Sequence, residues 1–190
     1  MSEASRCKWC DDSEIYRQYH DTEWGLPLYD EQQLFEFLLL EGAQAGLSWI
    51  TILKKREGYR QAFDNFDPVK IAAYDQDKIV ELLLNPAIVR NKLKVNSAVK
   101  NARSFLAMKE SGENFSEFIW SFVGGQPHIN QFQQISDIPA TTAESDAMSK
   151  ALKMKGFSFV GSTICYAFMQ ATGMVNDHVV SCFRFKECQR

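Results

Sequence analysis

Apolar residues recur at three- and four-residue intervals along most of this chain, and the strict alternation that writes a strand is almost absent. A chain spaced in this way buries its apolar side chains by packing helix on helix. The spacing predicts helices over residues 31–41 (EQQLFEFLLLE), 46–63 (GLSWITILKKREGYRQAF), 76–84, 92–108, 114–122, 145–155 and 162–172. Asp67-Pro68 and Asn85-Pro86 are break points, and Ser145 and Thr163 stand where helix starts are expected. One long irregular connection, VGGQPHINQFQQISDIPATTAES at 123–145, is placed to join two helical lobes. The expected fold class is all-α, with residues 1–190 as a single domain. At 190 residues and 45% apolar content the chain can bury a core of its own.

The opening MSEASRCKWCDDSE is polar and charged, with no apolar stretch of the secretory kind, and the longest apolar run is far too short for a bilayer. The expectation is a cytoplasmic monomer without a membrane partner. In such a chain five cysteines (Cys7, Cys10, Cys165, Cys182, Cys188) point to metal binding or simple burial rather than to disulfides. Cys165 in TICYAFMQ reads as core, Cys188 as an exposed tail residue, and His128 as a solvated loop residue.

A formal charge of -3 does not suggest a nucleic-acid binder, but the local distribution does. RNKLKVNSAVKNAR, from Arg90 to Arg103, carries Arg90, Lys92, Lys94, Lys100 and Arg103 with no acid, and Lys54, Lys55 and Arg56 form a second basic run. Phosphate binding needs concentrated positive surface, not a positive total. A solvated helix face reads the same pattern equally well. Residues 76–103 form a unit within it: QDKIVELLL as a short helix, NPAIVRN as a tight connector, and KLKVNSAVKNAR as a second helix. Such a unit can offer backbone N–H groups and cations to successive phosphates, or it is two packed helices and no more.

The chain ends carry a second constellation. Cys7 and His20 lie in CKWCDDSEIYRQYH, and His178 and Cys182 in NDHVVSC, an i, i+4 pair that shares a face if that segment is helical. Two Cys and two His complete a tetrahedral shell for zinc. Ordinary buried thiols and imidazoles remain an alternative, and Cys7-x-x-Cys10 is itself a metal spacing.

Trp9, Tyr16, Tyr19, Trp24 and Tyr29 cluster toward the N-terminus, and Trp49 follows Glu41, a carboxylate set directly after the run LFEFLLL. Aromatic clusters are commonly core. Rings beside an acid on an apolar segment also describe a slot for a flat cationic group, with stacking and cation–π attraction from the rings and acceptors from the acid.

YHDTEWGLP, LEGAQAGLSWITILKKRE and SDAMSKALKMKGFSFVGSTICYAFMQATGMVNDHVV resemble the 3-methyladenine DNA glycosylase I family, and the likeness runs over nearly the whole chain. It implies a helix-hairpin-helix DNA glycosylase fold of two helical lobes, and removal of 3-methyladenine from alkylated double-stranded DNA. It also implies that Cys7, His20, His178 and Cys182 hold one structural zinc per chain, tying residues 1–25 to 173–190 and leaving Cys10 outside. Residues 76–103 become the helix-hairpin-helix, with Arg90, Lys92 and Lys94 toward DNA. Trp9, Tyr16, Tyr19, Glu41 and Trp49 surround the extruded base, with Glu41 the candidate catalytic residue. Leu47, in the Gly46-Leu47 turn, fills the vacated stack. Two features depart from the family pattern. Relatives commonly have glycine in the hairpin where this chain has Ala87, a Cβ where backbone should approach phosphate. The wider superfamily uses an aspartate after the hairpin, whereas SFLAMKES has none. The competing reading is a non-enzymatic, zinc-stabilised DNA-binding protein of the same fold. A zinc hydrolase is disfavoured, because four protein ligands leave no open position for water.

Overall fold

The computed structural model describes residues 5–10 and 13–189; residues 1–4, 11–12 and Arg190, which belong to the expected zinc-tethered ends 1–25 and 173–190, lie outside the described residues. The long apolar run becomes the central helix α2 (Glu31–Gln44). Asp30 starts it by accepting the Gln33 N–H at 2.9 Å. Every residue from Leu34 to Ala43 is buried, which is why the run is continuous rather than amphipathic. The helix stops after Gln44, where Gly46 takes φ +77°, a left-handed position that a Cβ would strain.

Around α2 pack α3 (Trp49–Ala62), α6 (Lys92–Glu110), α7 (Phe115–Trp120) and α9 (Ser162–Ala171). The short helix α4 (Pro68–Ala72) lies on α6, and α8 (Ala143–Met154) lies on α9. α5 (Gln76–Leu84) ends at Asn85, and the connector 85–91 leads into α6, which Asn91 starts by accepting the Leu93 and Lys94 N–H groups. α10 (Arg184–Glu187) closes the chain. One hydrophobic core runs continuously from Cys7 to Cys182, so any division into lobes shares a single interior. Among the described residues no helix is long and apolar enough to cross a membrane.

The structure moves several expected boundaries. α1 (Glu14–Thr22), capped by Ser13, is not among the expected helices: its apolar side is Ile15, Tyr16 and Tyr19, which read as an aromatic cluster. Asp67-Pro68 is a start as well as a break, because Asp67 accepts from Val69 and Lys70 while Pro68 takes the first helical position. α8 begins earlier than Ser145: Thr142 is the cap, and Ser145 returns the bond to the Thr142 N–H at 2.8 Å. α9 begins at Ser162, preceded by Gly161. His178 and Cys182 are not on a helix, since 177–183 is irregular turn. Cys188 is buried, not exposed, because α10 folds the tail back beside Gly25. Cys165 is core, and His128 is exposed as expected. It opens a two-residue strand, β1 (His128–Ile129), that pairs in parallel with β2 (Val175–Asn176).

Candidate active site

The N-terminal aromatics, the end of α2, the start of α3 and one side of α9 enclose a cavity of about 450 Å³. Trp9, Tyr16, Tyr19, Glu41 and Trp49 all line it. Trp9 meets Tyr16 edge-on at 5.4 Å between ring centroids and Trp24 at 5.1 Å, and Tyr19 lies 5.6 Å from Trp49. Tyr16 also ties α1 to α3, its hydroxyl accepting the otherwise orphaned N–H of Ile50 at 2.9 Å.

Glu41 is 4% exposed. Burial pushes its carboxyl up from 4.5 to about 8, so near neutral pH a large share of it carries a proton. Burial, followed by the nearness of Glu41, pushes the Tyr19 phenol well above its usual range. The Tyr19 hydroxyl and the Trp49 indole N–H are both buried without a hydrogen-bond partner of good geometry among the described residues. Unsatisfied polar groups beside a desolvated acid are costly for a fold and are expected where a ligand completes them.

Sequence reasoning passed over most of the rest of the wall. Ile135, Ile138, Pro139 and Ala140 come from the long connection 123–145, which is a cavity wall rather than a bare linker. Its one signal was Ile135 and Ile138, three apart and among the few large apolar residues of a mostly polar stretch. Trp24, expected in the N-terminal aromatic cluster, also lines the cavity; Gln44 from α2 and Thr163, Tyr166, Ala167 and Gln170 from α9 were not expected there.

Behind the aromatics, Cys7, His20, His178 and Cys182 are all fully buried, and their ligand atoms lie within 4.8 Å of one another. Cys182 Sγ is 3.4 Å from His20 Nε2 and 3.6 Å from His178 Nδ1, and Cys7 Sγ is 3.7 Å from His178 Nδ1. A tetrahedral ion with ligands at ~2.0–2.3 Å sets sulfur and nitrogen ~3.5 Å apart, so the donor set fits. The other ring nitrogens are committed, His20 Nδ1 to Asp21 at 2.7 Å and His178 Nε2 to the Trp24 carbonyl at 3.1 Å. Cys10 stays outside, its thiol donating to the Cys7 carbonyl. Trp9 packs on His20 at 5.4 Å and Trp24 on His178 at 4.6 Å, so the cluster that joins the chain ends also backs the cavity.

The 85–91 connector is fastened to α3. Lys55 Nζ donates to the Pro86 carbonyl at 2.7 Å, and the Tyr59 hydroxyl accepts the Val89 N–H at 3.2 Å. Ala87 needs no left-handed φ, and although the residue is exposed its Cβ lies beside Gly58: a Cβ on Gly58 would stand 2.8 Å from it. Among the described residues, the amides between 87 and 94 without a protein acceptor are those of Arg90 and Lys92, whose side chains are exposed. Lys94 differs. Its ammonium turns inward to the carbonyls of Ala43 and Ala45 at 2.7 and 2.6 Å, bracing the end of α2 just before Gly46 and the exposed Leu47. Cation spacing alone did not separate it from its neighbours.

The relatives agree on a class. DNA-3-methyladenine glycosylase 1 of Escherichia coli is 53% identical over 177 residues, 93% of this chain and 95% of that protein. A crystal structure of 3-methyladenine DNA glycosylase I superposes with a TM-score of 0.93 at 53% identity, covering 94% and 98% of the two chains. A Staphylococcus aureus 3-methyladenine DNA glycosylase I, solved to explain 3-methyladenine recognition, gives 0.91 at 38% identity over 94% and 95%. The protein is therefore a DNA glycosylase, a hydrolase built from helices. Within that class, the model described as methyladenine glycosylase matches residues 9–185, and the chain belongs to that family.

Proposed function

We propose that the protein hydrolyses the N-glycosidic bond of 3-methyladenine in alkylated DNA, and that the lesion turns out of the duplex into the aromatic cavity, where Glu41 reads it. The observation that carries this reading is Glu41 itself, a desolvated carboxyl among rings, raised to about 8 and lining a cavity of about 450 Å³. Methylation at N3 puts positive charge on adenine, which weakens its bond to the sugar and lets the base leave neutral. A catalytic aspartate after the hairpin is then dispensable. The approaching cation favours the ionised form of Glu41, which gives its proton to water as the base enters, and the carboxylate accepts hydrogen bonds from the adenine edge. Trp49 and the neighbouring rings stack on the charged base. Exposed Leu47, at the left-handed turn after α2, fills the gap in the stack, and a damaged base costs less to extrude than a well-paired one.

The 76–103 helix-hairpin-helix holds the backbone through the Arg90 and Lys92 amides and cations, without reading sequence. The four-ligand cluster fits zinc, whose chemistry in a closed shell is structural: it would fasten residues 1–25 to 173–190 and so fix Trp9 and Trp24 against the cavity. Double-stranded DNA is the one partner this scheme requires. The non-enzymatic alternative leaves the buried acid and the poorly partnered Tyr19 and Trp49 groups without a purpose. The test is incubation with methylated duplex and identification of the free bases released. Release of 3-methyladenine is expected, and Glu41→Gln should slow it by about ten- to a few hundred-fold, as expected for a lost charged hydrogen bond of ~1.5–3 kcal/mol, with affinity for unmodified duplex unchanged.

A further inference from the structure

On the α9 side of the cavity, the Tyr166 hydroxyl donates to Asp177 Oδ2 at 2.6 Å and Gln170 Nε2 donates to the same oxygen at 2.8 Å. Asn130 Nδ2 takes Oδ1 at 2.7 Å, and Asp177 is 1% exposed. A carboxylate only accepts, so this arrangement sets the direction of each partner. Gln170 must turn its NH₂ toward Asp177, and Tyr166 spends its single proton there. What these two residues can then offer the cavity is mainly acceptor: the Gln170 amide oxygen and a lone pair of the Tyr166 hydroxyl. Reversing the Gln170 amide would set its oxygen against the carboxylate, a repulsive pairing in a buried place.

We infer that Gln170 is a second, specificity-determining reader of the extruded base, and that Asp177 is the positioning residue that fixes its polarity, so that the cavity accepts a base with an exocyclic amine and disfavours one presenting a carbonyl. This deepens the reading of the cavity as a base pocket and rests on it. Adenine presents an NH₂ group at C6, which satisfies acceptors. Guanine presents an oxygen there, which meets the acceptors of Gln170 and Tyr166 with no proton between them. Leaving such groups unpaired is how a polar site rejects a near-isostere.

The test compares wild type, Gln170→Met and Asp177→Asn. Gln170→Met keeps the length and helix preference of the side chain at a half-buried site. The readouts are affinity for free 3-methyladenine by tryptophan fluorescence and release of 3-methyladenine and 3-methylguanine from the same methylated duplex. Gln170→Met should weaken free-base affinity about tenfold and narrow the ratio of the two release rates by a similar factor. Asp177→Asn, which can donate as well as accept, should narrow the same ratio because the Gln170 amide is free to reverse. A purely structural role lowers both releases together and leaves the ratio alone, so wild-type ratios in Gln170→Met would overturn the inference even if its overall rate fell. If Asp177→Asn does not fold, Gln170→Met decides by itself. A wild-type protein that releases 3-methyladenine while Gln170→Met keeps its ratio and affinity refutes this role alone; a wild-type protein that releases none refutes the base-pocket reading with it.

Discussion

Replacing Glu41 by glutamine is expected to stabilise the protein while it slows base release. In the folded state burial raises the carboxyl from 4.5 to about 8, whereas the unfolded chain ionises it near its ordinary value. The folded state therefore binds the proton more tightly. Stability from this residue is fully present below about pH 4.5, falls as pH rises, and levels off above about pH 8. At ~1.4 kcal/mol per pH unit the full span is ~5 kcal/mol. The cavity admits water, which relaxes part of this penalty, so ~2–3 kcal/mol is the working expectation at pH 8. Glutamine has no charge to desolvate and should recover that amount. For a chain of this size it corresponds to a Tm about 5–10 °C higher at pH 8, shrinking toward zero near pH 4.5. Thermal unfolding of both proteins from pH 4.5 to 8.5, beside single-turnover release of 3-methyladenine, reads the two effects together. A Tm difference that does not change with pH would refute the burial argument, because only a titrating group whose folded and unfolded affinities differ gives a slope. A stabilised variant that releases base at the wild-type rate would keep that argument and remove Glu41 from recognition.

Three further outcomes are expected. His178→Ala, or prolonged chelation of the wild type, should release one metal ion per chain and lower Tm, with activity falling only as the aromatic wall behind Trp9 and Trp24 loosens; metal content with Tm checks this, and full metal in Cys7→Ala with loss in Cys10→Ala would assign the wrong cysteine. Arg90→Ala and Lys92→Ala should each weaken binding to duplexes of any sequence and reduce the log–log salt slope by about one, whereas Lys94→Met should leave the slope unchanged and slow base release, because that ammonium braces Ala43 and Ala45. Gly58→Ala should displace the hairpin, since the new Cβ would stand 2.6 Å from the Ala87 carbonyl oxygen; a loss of about 1–3 kcal/mol in stability and weaker duplex affinity by fluorescence anisotropy are expected, and wild-type values would mean that the hairpin shifts without consequence.

Much of the fold was legible because helix spacing is local. α2, α5 and α6 fall where apolar periodicity and break points put them, since a helix needs only side chains three and four apart and a cap. α1 left a local signal, a Ser13 cap and Ile15, Tyr16 and Tyr19 on one side, but one so short that it read as an aromatic cluster instead of a helix. The family likeness named the ligand set and the five base-pocket candidates; their meeting around one cluster and one cavity is tertiary, because Cys7 and His178 are 171 residues apart and only chain closure brings them to 3.7 Å. The placement of Glu41 after leucines raised the question of a buried acid but could not answer it, since desolvation depends on α1, α3 and α9 closing over the end of α2. The inward turn of Lys94, the fit of Ala87 against Gly58 and the pinning of Gln170 by Asp177 left no periodic trace. Each is a contact between side-chain or backbone atoms distant along the chain, whose direction is set by what stands opposite.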